Sequence, residues 1–234
     1  MGFLFRLLNR SKIKRYDHIV SLGYNCEIAY QLFRHNGFLE SNLFAWASIP
    51  SLQTLISALN DLNQIGSQDY VPDDIMYICN KTKIKFHGKT DLKKFGDDPE
   101  RVRKDKEELC SRVAFLRNKF VSVAEENSRK LYILKVKSSE TDVEQKIDEI
   151  RGLLARRNNG SFDFLFVPEE AFAKTLSLTE KDGFYIRTVS EYAPDSAVTS
   201  KFRSFKEWQR IFDEFVPLHK LKKTKKYKFE EVEQ

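Results

Sequence analysis

The sequence predicts an α/β fold in three layers, with a mostly parallel sheet and helices on both of its faces. Short apolar runs typical of buried strands alternate with amphipathic runs typical of helices in the second half of the chain. Hydrophobic residues make up 41% of the 234 residues, which is enough for a sizeable core. Neither an internal repeat nor a Pro/Gly/Ser-rich linker divides the chain.

Hydrophobic periodicity places the individual elements along the chain. Apolar residues three or four apart predict helices over 26–37, 48–61, 99–127, 142–157, 169–176 and 204–216. Short apolar runs predict strands over 17–23, 75–80, 83–88, 131–137, 162–168 and 184–190. Helix signals support these limits, since Asn36-Gly37 suits a helix end and Pro50-Ser51 suits a helix start.

The two ends of the chain differ in composition from the body, residues 16–217, which is predicted to be a single α/β domain. Residues 1–15 combine phenylalanine and leucine with arginine and lysine. This composition is typical of a basic amphipathic segment on an anionic membrane surface, or of a helix that caps the core. Residues 218–234 form a lysine-rich tail, interpreted as a solvated end.

Charge and cysteine content narrow the function classes. The net charge is +6, and six lysines fall within residues 219–229, so the body is close to neutral. We therefore expect no nucleic-acid partner. Cys26, Cys79 and Cys110 lie far apart without metal-ligand spacing, so they predict free thiols, no metal, and a cytoplasmic protein, placed at the inner face of the membrane if residues 1–15 bind lipid.

Cys26 stands out from the other two cysteines because of its position. It follows the first predicted strand at the start of a helix, and ligands in open α/β sheets bind outside the carboxyl ends of the strands. Helix N-terminal amides lower a thiol pKa and hold an oxyanion. Cys26 is therefore either a nucleophile at a strand-to-helix turn or a small residue packed in the core, whereas Cys79 and Cys110 are interpreted as packing residues.

The segment 20–56 resembles the opening of a largely bacterial family described as papain-like cysteine peptidases. The family pattern is roughly S-L-G-x-x-C-x-x-A-x-x-L-x-R, then a gap and P-F-D-W. The first motif is matched by Ser21, Leu22, Gly23, Cys26, Ala29, Leu32 and Arg34. Phe44 and Trp46 match the second motif, in which Leu43 and Ala45 replace proline and aspartate. The likeness is strong at the front and weaker over the rest of residues 17–216.

The resemblance implies a Cys/His enzyme in which Cys26 is the nucleophile and His87, in FHGKTD, is the general base. Asp91 is the candidate that orients the imidazole, because a thiolate nucleophile needs a base and the base needs an orienting group. The alternative for His87 is a turn residue beside a glycine. Ala45 stands where the family has an aspartate, which implies altered specificity or a catalytically silent chain.

Four residues are candidates for substrate binding: Gly23, Asn25, Phe44 and Trp46. The Asn25 amide either faces an oxyanion or caps the helix. The aromatic pair either forms a wall of the pocket or packs in the core. Gly23 stands alone, without the further glycines of phosphate-loop or dinucleotide motifs.

Three function hypotheses follow. The first, implied by the resemblance, is a Cys-dependent acyl-transfer enzyme of surface-polysaccharide metabolism, with a coenzyme A thioester as co-substrate and no required cofactor. The second is a cysteine peptidase or hydrolase, which shares the thiolate but uses water as the acceptor. The third, encouraged by Ala45, is a non-catalytic α/β module that binds a sugar or nucleotide. The expected partner is accordingly a small molecule, a glycan or a peptide, with peripheral membrane contact through residues 1–15.

Overall fold

The computed structural model describes residues 16–36, 41–66, 69–193 and 204–216. The expectations for the basic N-terminal segment and the lysine-rich tail fall on residues outside these ranges. Strands in the described ranges are β1 His18–Ser21, β2 Ala47–Ser48, β3 Tyr70–Asp73, β4 Met76–Cys79, β5 Lys85–Phe86, β6 Lys130–Leu134, β7 Phe162–Phe166 and β8 Phe184–Ile186. Helices are α1 Glu27–Asn36, α2 Leu52–Asn60, α3 Leu92–Phe95, α4 Pro99–Glu125, α5 Val143–Arg157, α6 Glu170–Ala173 and α7 Phe205–Phe215.

A parallel sheet of four strands, in the order β1-β6-β7-β8, positions the predicted site. In its register Ile133 of β6 pairs with Ser21 of β1 on one side and with Leu165 of β7 on the other. Every residue of β6 is buried, which is typical of a central strand in a parallel sheet. The α/β class and the parallel sheet are therefore confirmed.

A second sheet is antiparallel, with the order β2-β5-β4-β3. Two of its strands differ from the sequence prediction. Ala47–Ser48 forms a strand where a helix was predicted to start, and Tyr70–Asp73 was not predicted at all. A two-residue strand has no measurable periodicity, and Pro72 is tolerated in Tyr70–Asp73 because this strand lies at the sheet edge. The description as three layers around one mostly parallel sheet does not cover this second sheet.

Two hydrophobic clusters pack against alternate residues of the parallel strands. Tyr132 and Phe164 join the larger cluster, which also contains residues of α2, α4, α5 and the antiparallel sheet. Ile133 and Leu165 join the smaller cluster, with residues of α1 and α7. Successive side chains of a strand point to opposite faces, so helices cover both faces of the parallel sheet.

No helix in the described ranges is both long enough and apolar enough to cross a membrane. The longest, α4, has 27 residues, and charged side chains recur along it.

A tight turn after β1 sets where α1 begins. Gly23 and Tyr24 both have left-handed backbones, with φ of 86° and 78°. The Tyr24 carbonyl accepts a hydrogen bond from the Ile49 amide at 2.9 Å, so the segment before α2 docks on the turn. A Cβ on Gly23 would lie 2.6 Å from Ile49 Cδ1, so a side chain there would require the Ile49 side chain to shift.

We predict that Gly23→Ala lowers the free energy of unfolding by at least about 1–2 kcal/mol, the cost of a left-handed backbone for an L-residue. The crowding against Ile49 adds to this cost. The matched control is Gly152→Ala in α5, where an added Cβ meets nothing within 4 Å and is expected to raise stability by about 0.5–1 kcal/mol. Urea unfolding measures both, and equal effects of the two substitutions would contradict the assignment.

Candidate functional site

Cys26 lies directly before α1, at the carboxyl end of β1. Its carbonyl accepts a hydrogen bond from the Tyr30 amide at 2.9 Å, which makes Cys26 the residue that opens the helix. Its side chain is half-buried. The thiol thus belongs to a residue at the N-terminus of a ten-residue helix, where amides and the helix dipole favour a negative charge.

The neighbours of Cys26 in sequence shape the turn. Asn25 is buried, and its Oδ1 accepts a hydrogen bond from the Glu27 amide at 3.0 Å, which forms an Asx turn directly before the helix. The Gly23 amide donates to Ser21 Oγ at 3.3 Å. These short-range hydrogen bonds fix the backbone that carries Cys26.

A buried ion pair begins at Glu27, the residue that follows Cys26. The Glu27 carboxylate accepts a hydrogen bond from the Lys135 ammonium, just past the end of β6, and both side chains are fully buried. The other carboxylate oxygen, Oε1, accepts hydrogen bonds from the Ala193 amide and from Trp208 Nε1 in α7, both at 3.2 Å. One carboxylate therefore joins four separate parts of the chain.

Aromatic rings surround the ammonium of this pair. The Lys135 Nζ lies 4.3 Å from the centroid of the Tyr192 ring and 5.6 Å from that of Tyr24. The Lys137 Nζ lies 4.8 Å from the Tyr24 ring centroid. Burial raises the pKa of the Tyr192 phenol well above its usual value. The carboxyl edge of the parallel sheet thus combines a thiol, an ion pair and two tyrosines.

The second motif of the family resemblance lies next to the first. The Phe44 carbonyl is 3.4 Å from the position of a Cβ on Gly23. Phe44 itself is fully buried and packs edge to face on Phe120, with ring centroids 5.4 Å apart, whereas Trp46 is half-buried. Ala45 is fully buried, so this position offers no carboxylate to the turn.

His87 follows β5 in the antiparallel sheet and contacts Arg112 of α4. The Arg112 guanidinium donates a hydrogen bond to the His87 carbonyl. Desolvation of the ring, and then the positive charge of Arg112, lower the pKa of His87 below its usual value. Phe86, the residue before His87, pairs with Ala47 of β2.

A buried carboxylate fixes the segment between β5 and α3. Asp105 in α4 accepts hydrogen bonds from the amides of Lys89 and Thr90, at 2.7 and 2.9 Å. It also accepts one from the Tyr77 hydroxyl at 3.0 Å. Burial alone raises the pKa of Asp105, but these hydrogen bonds outweigh it and hold the pKa below its usual value. The close approach of this carboxylate also explains why Gly88 has no side chain.

Asp91, the proposed orienting residue, caps a short helix. Its Oδ1 accepts hydrogen bonds from the amides of Lys93 and Lys94, at 3.1 and 3.3 Å. These contacts engage the carboxylate with α3, and none of them reaches His87. The structure therefore brings Gly23, Asn25, Cys26 and the second motif together. His87 directly follows Phe86, which pairs with Ala47 at the end of the second motif, and the roles of His87 and Asp91 stay predictions.

The comparisons with known proteins identify no relative. The chain matches no protein-family model, no curated protein and no solved structure. The likeness to papain-like enzymes thus rests on the motif residues alone, and the roles of Cys26, His87 and Asp91 stay predictions.

The other cysteines and the acidic residues have structural surroundings. Cys79 is fully buried in β4, and Cys110 is half-buried in α4, where burial raises the pKa of its thiol. Among the residues with described positions, no group of three His, Cys, Asp or Glu side chains is arranged to hold a metal ion.

Sequence reasoning missed the ion pair and its partners. Lys135 carried a signal, because it is a lysine inside the apolar run LYILKVK, which was interpreted simply as a strand. Glu27 carried none, because an acidic residue in the first helical turn is ordinary. Tyr192 and Trp208 lie 166 and 182 positions after Cys26, so only the fold brings them to the site.

We predict that Arg112→Gln raises the pKa of His87 toward its ordinary value of about 6.5, because it removes the nearby positive charge. NMR titration of the ring measures this. The folded pKa lies below the unfolded one, so the stabilising contribution of neutral His87 is fully present above about pH 6.5 and is lost as the pH falls through the folded-state pKa.

Arg103→Gln is the control for this prediction. Arg103 lies on the same helix but pairs with Glu100 and Glu107, so its loss is expected to leave the His87 titration unchanged. An unchanged His87 pKa in Arg112→Gln would show that the Arg112 charge does not act on the ring.

Proposed function

We propose that the chain is a Cys-dependent acyl-transfer enzyme, acting in surface-polysaccharide metabolism, with Cys26 as its nucleophile. The observation that carries the proposal is the position of Cys26: a half-buried thiol at the start of α1, at the carboxyl end of a parallel strand. Ligands of open α/β sheets collect at this edge, and helix amides there stabilise both a thiolate and an oxyanion.

The proposed reaction has two halves. The Cys26 thiolate attacks the carbonyl of an acyl thioester, a bond from Sγ to carbon forms, and the donor thiolate leaves and takes up a proton. A sugar hydroxyl then attacks the acyl-cysteine, loses its proton to a base, and releases the Cys26 thiolate. Helix amides at the start of α1 are the candidate donors for both tetrahedral intermediates.

The kind of acyl donor follows from what surrounds the thiol. A thiolate is a good leaving group and departs without prior protonation, whereas the amine of a peptide bond must be protonated as it leaves. Lys135 is bound to Glu27, and burial raises the pKa of the Tyr192 phenol, so neither of these groups is a ready acid for an amine. This arrangement supports a thioester donor such as acyl-coenzyme A over a peptide.

A second candidate function is a non-catalytic module that binds a sugar or nucleotide at the same edge. Two observations favour it. His87 contacts Arg112 of α4, and buried Ala45 supplies no carboxylate. This module would bind its ligand equally well without the thiol.

We predict that iodoacetamide alkylates Cys26 at least about tenfold faster than Cys110 at pH 7. Cys110 is a matched internal control, because its side chain is also half-buried and burial raises its thiol pKa. Fully buried Cys79 is expected to be protected. Mass spectrometry of the digested protein reads all three sites at once, and equal rates at Cys26 and Cys110 would remove the basis for a nucleophile.

Incubation with acetyl-coenzyme A then tests the acyl-enzyme. The expected result is an acyl group on the peptide that contains Cys26, absent in Cys26→Ala and present in Cys110→Ser. Acyl release from peptide substrates but not from thioesters would indicate a hydrolase. If no donor acylates Cys26, and Cys26→Ala binds nucleotide sugars as the wild type does, the binding module replaces the enzyme.

A further inference from the structure

The ion pair between Glu27 and Lys135 asks for an explanation beyond stability. Both side chains are fully buried. The desolvation of two buried charges often exceeds their attraction, and apolar residues of similar volume often replace such pairs without loss of stability. A buried pair that directly follows a half-buried cysteine therefore points to a role at that cysteine.

The contacts of Glu27 fix its position, and with it the position of Cys26, the residue before it. Its carboxylate binds Lys135 after β6, the Ala193 amide after β8, and Trp208 Nε1 in α7. Consecutive Cα atoms are about 3.8 Å apart. A carboxylate held from three directions thus holds the backbone of Cys26 as well.

We propose that the Glu27–Lys135 pair is a positioning pair that sets the thiol pKa of Cys26. The inference rests on the proposed function only in that Cys26 is the reacting thiol. The two charges of the pair cancel. The intact pair therefore does not oppose the helix amides, which favour the thiolate. Loss of either partner leaves one full charge, shielded from water, in a pair that begins at the residue after Cys26.

Other charged and titratable groups also face this edge. Lys137 lies against the Tyr24 ring, and Tyr192 covers Lys135. Glu169 accepts a hydrogen bond from the Tyr192 amide at 2.8 Å. These groups stay the same in the Glu27 and Lys135 variants below, so a change in the thiol pKa of those variants reports on the pair.

The test is the pH dependence of Cys26 alkylation in two single variants. Glu27→Gln leaves a net positive charge and is expected to lower the thiol pKa by about one unit. Lys135→Met leaves a net negative charge and is expected to raise it by about as much, because Ala193 and Trp208 still donate hydrogen bonds to the Glu27 carboxylate. The double variant restores neutrality, and with it a thiol pKa close to that of the wild type.

Lys137→Met is the matched control. It removes the same charge two positions along the chain, but Lys137 is exposed, so solvent screens it and the shift is expected to be clearly smaller and to vanish at high salt. A buried pair is expected to resist salt. A purely structural role of the pair would slow or speed alkylation in both single variants alike, without shifts of opposite sign.

Circular dichroism first establishes which variants are folded. Glu27→Gln keeps an amide oxygen for the hydrogen bonds from Ala193 and Trp208, so it is the variant expected to fold. One folded single variant is sufficient, because the sign of its shift decides. An unshifted profile, or shifts in the same direction, overturns the proposal. The test measures a thiol pKa, so it can be carried out even if no acyl donor reacts. Acyl transfer without these pKa shifts would overturn the role of the pair but leave the proposed function intact.

Discussion

The fold at the carboxyl edge of the parallel sheet depends on one buried carboxylate. Glu27 joins the start of α1 to the end of β6, to the segment after β8 and to α7. Burial of two opposite charges costs several kcal/mol per ion, and only full hydrogen bonding offsets this cost. The Ala193 amide and Trp208 Nε1 supply that bonding, and the Tyr192 ring covers the ammonium of Lys135. Removal of one partner alone would leave a bare buried charge, which costs about 3–5 kcal/mol.

A second constraint explains where the antiparallel sheet carries its histidine. The segment around β2 docks on the turn after β1, through Ile49 and the backbone of Phe44. β5 is the direct neighbour of β2 in this sheet, and Asp105 anchors the segment that follows β5 to α4. With these two attachments in place, His87 lies beside Arg112. Its lowered pKa keeps the imidazole neutral near pH 7, which is the protonation state of a base.

The sequence was informative where order is local. Long periodic segments predicted α4, α5 and α7 to within two residues at each end, and Ser51 caps α2 as its position suggests. β2 was not predicted, because a strand of two residues shows no periodicity. Only part of the site could be predicted: the position of Cys26 after a strand and at the start of a helix follows from the sequence pattern. The partners of Glu27 lie 108, 166 and 181 positions away, and no local pattern records contacts at such separation.

These constraints bear on which chemistry the site supports. A thiolate at Cys26 is favoured by the helix amides at the start of α1, and the neutral pair of Glu27 with Lys135 adds no net charge there. Departure of a peptide amine requires an acid as well, and the buried groups at this edge are poor acids: the pKa of the Tyr192 phenol is raised, and Lys135 is already bound to Glu27. A thioester makes no such demand, because its thiolate leaves unaided. For the proposed acyl transfer, the carboxyl edge therefore suits an activated thioester donor better than an amide, and deprotonation of the acceptor hydroxyl is the step for which the proposal needs a base.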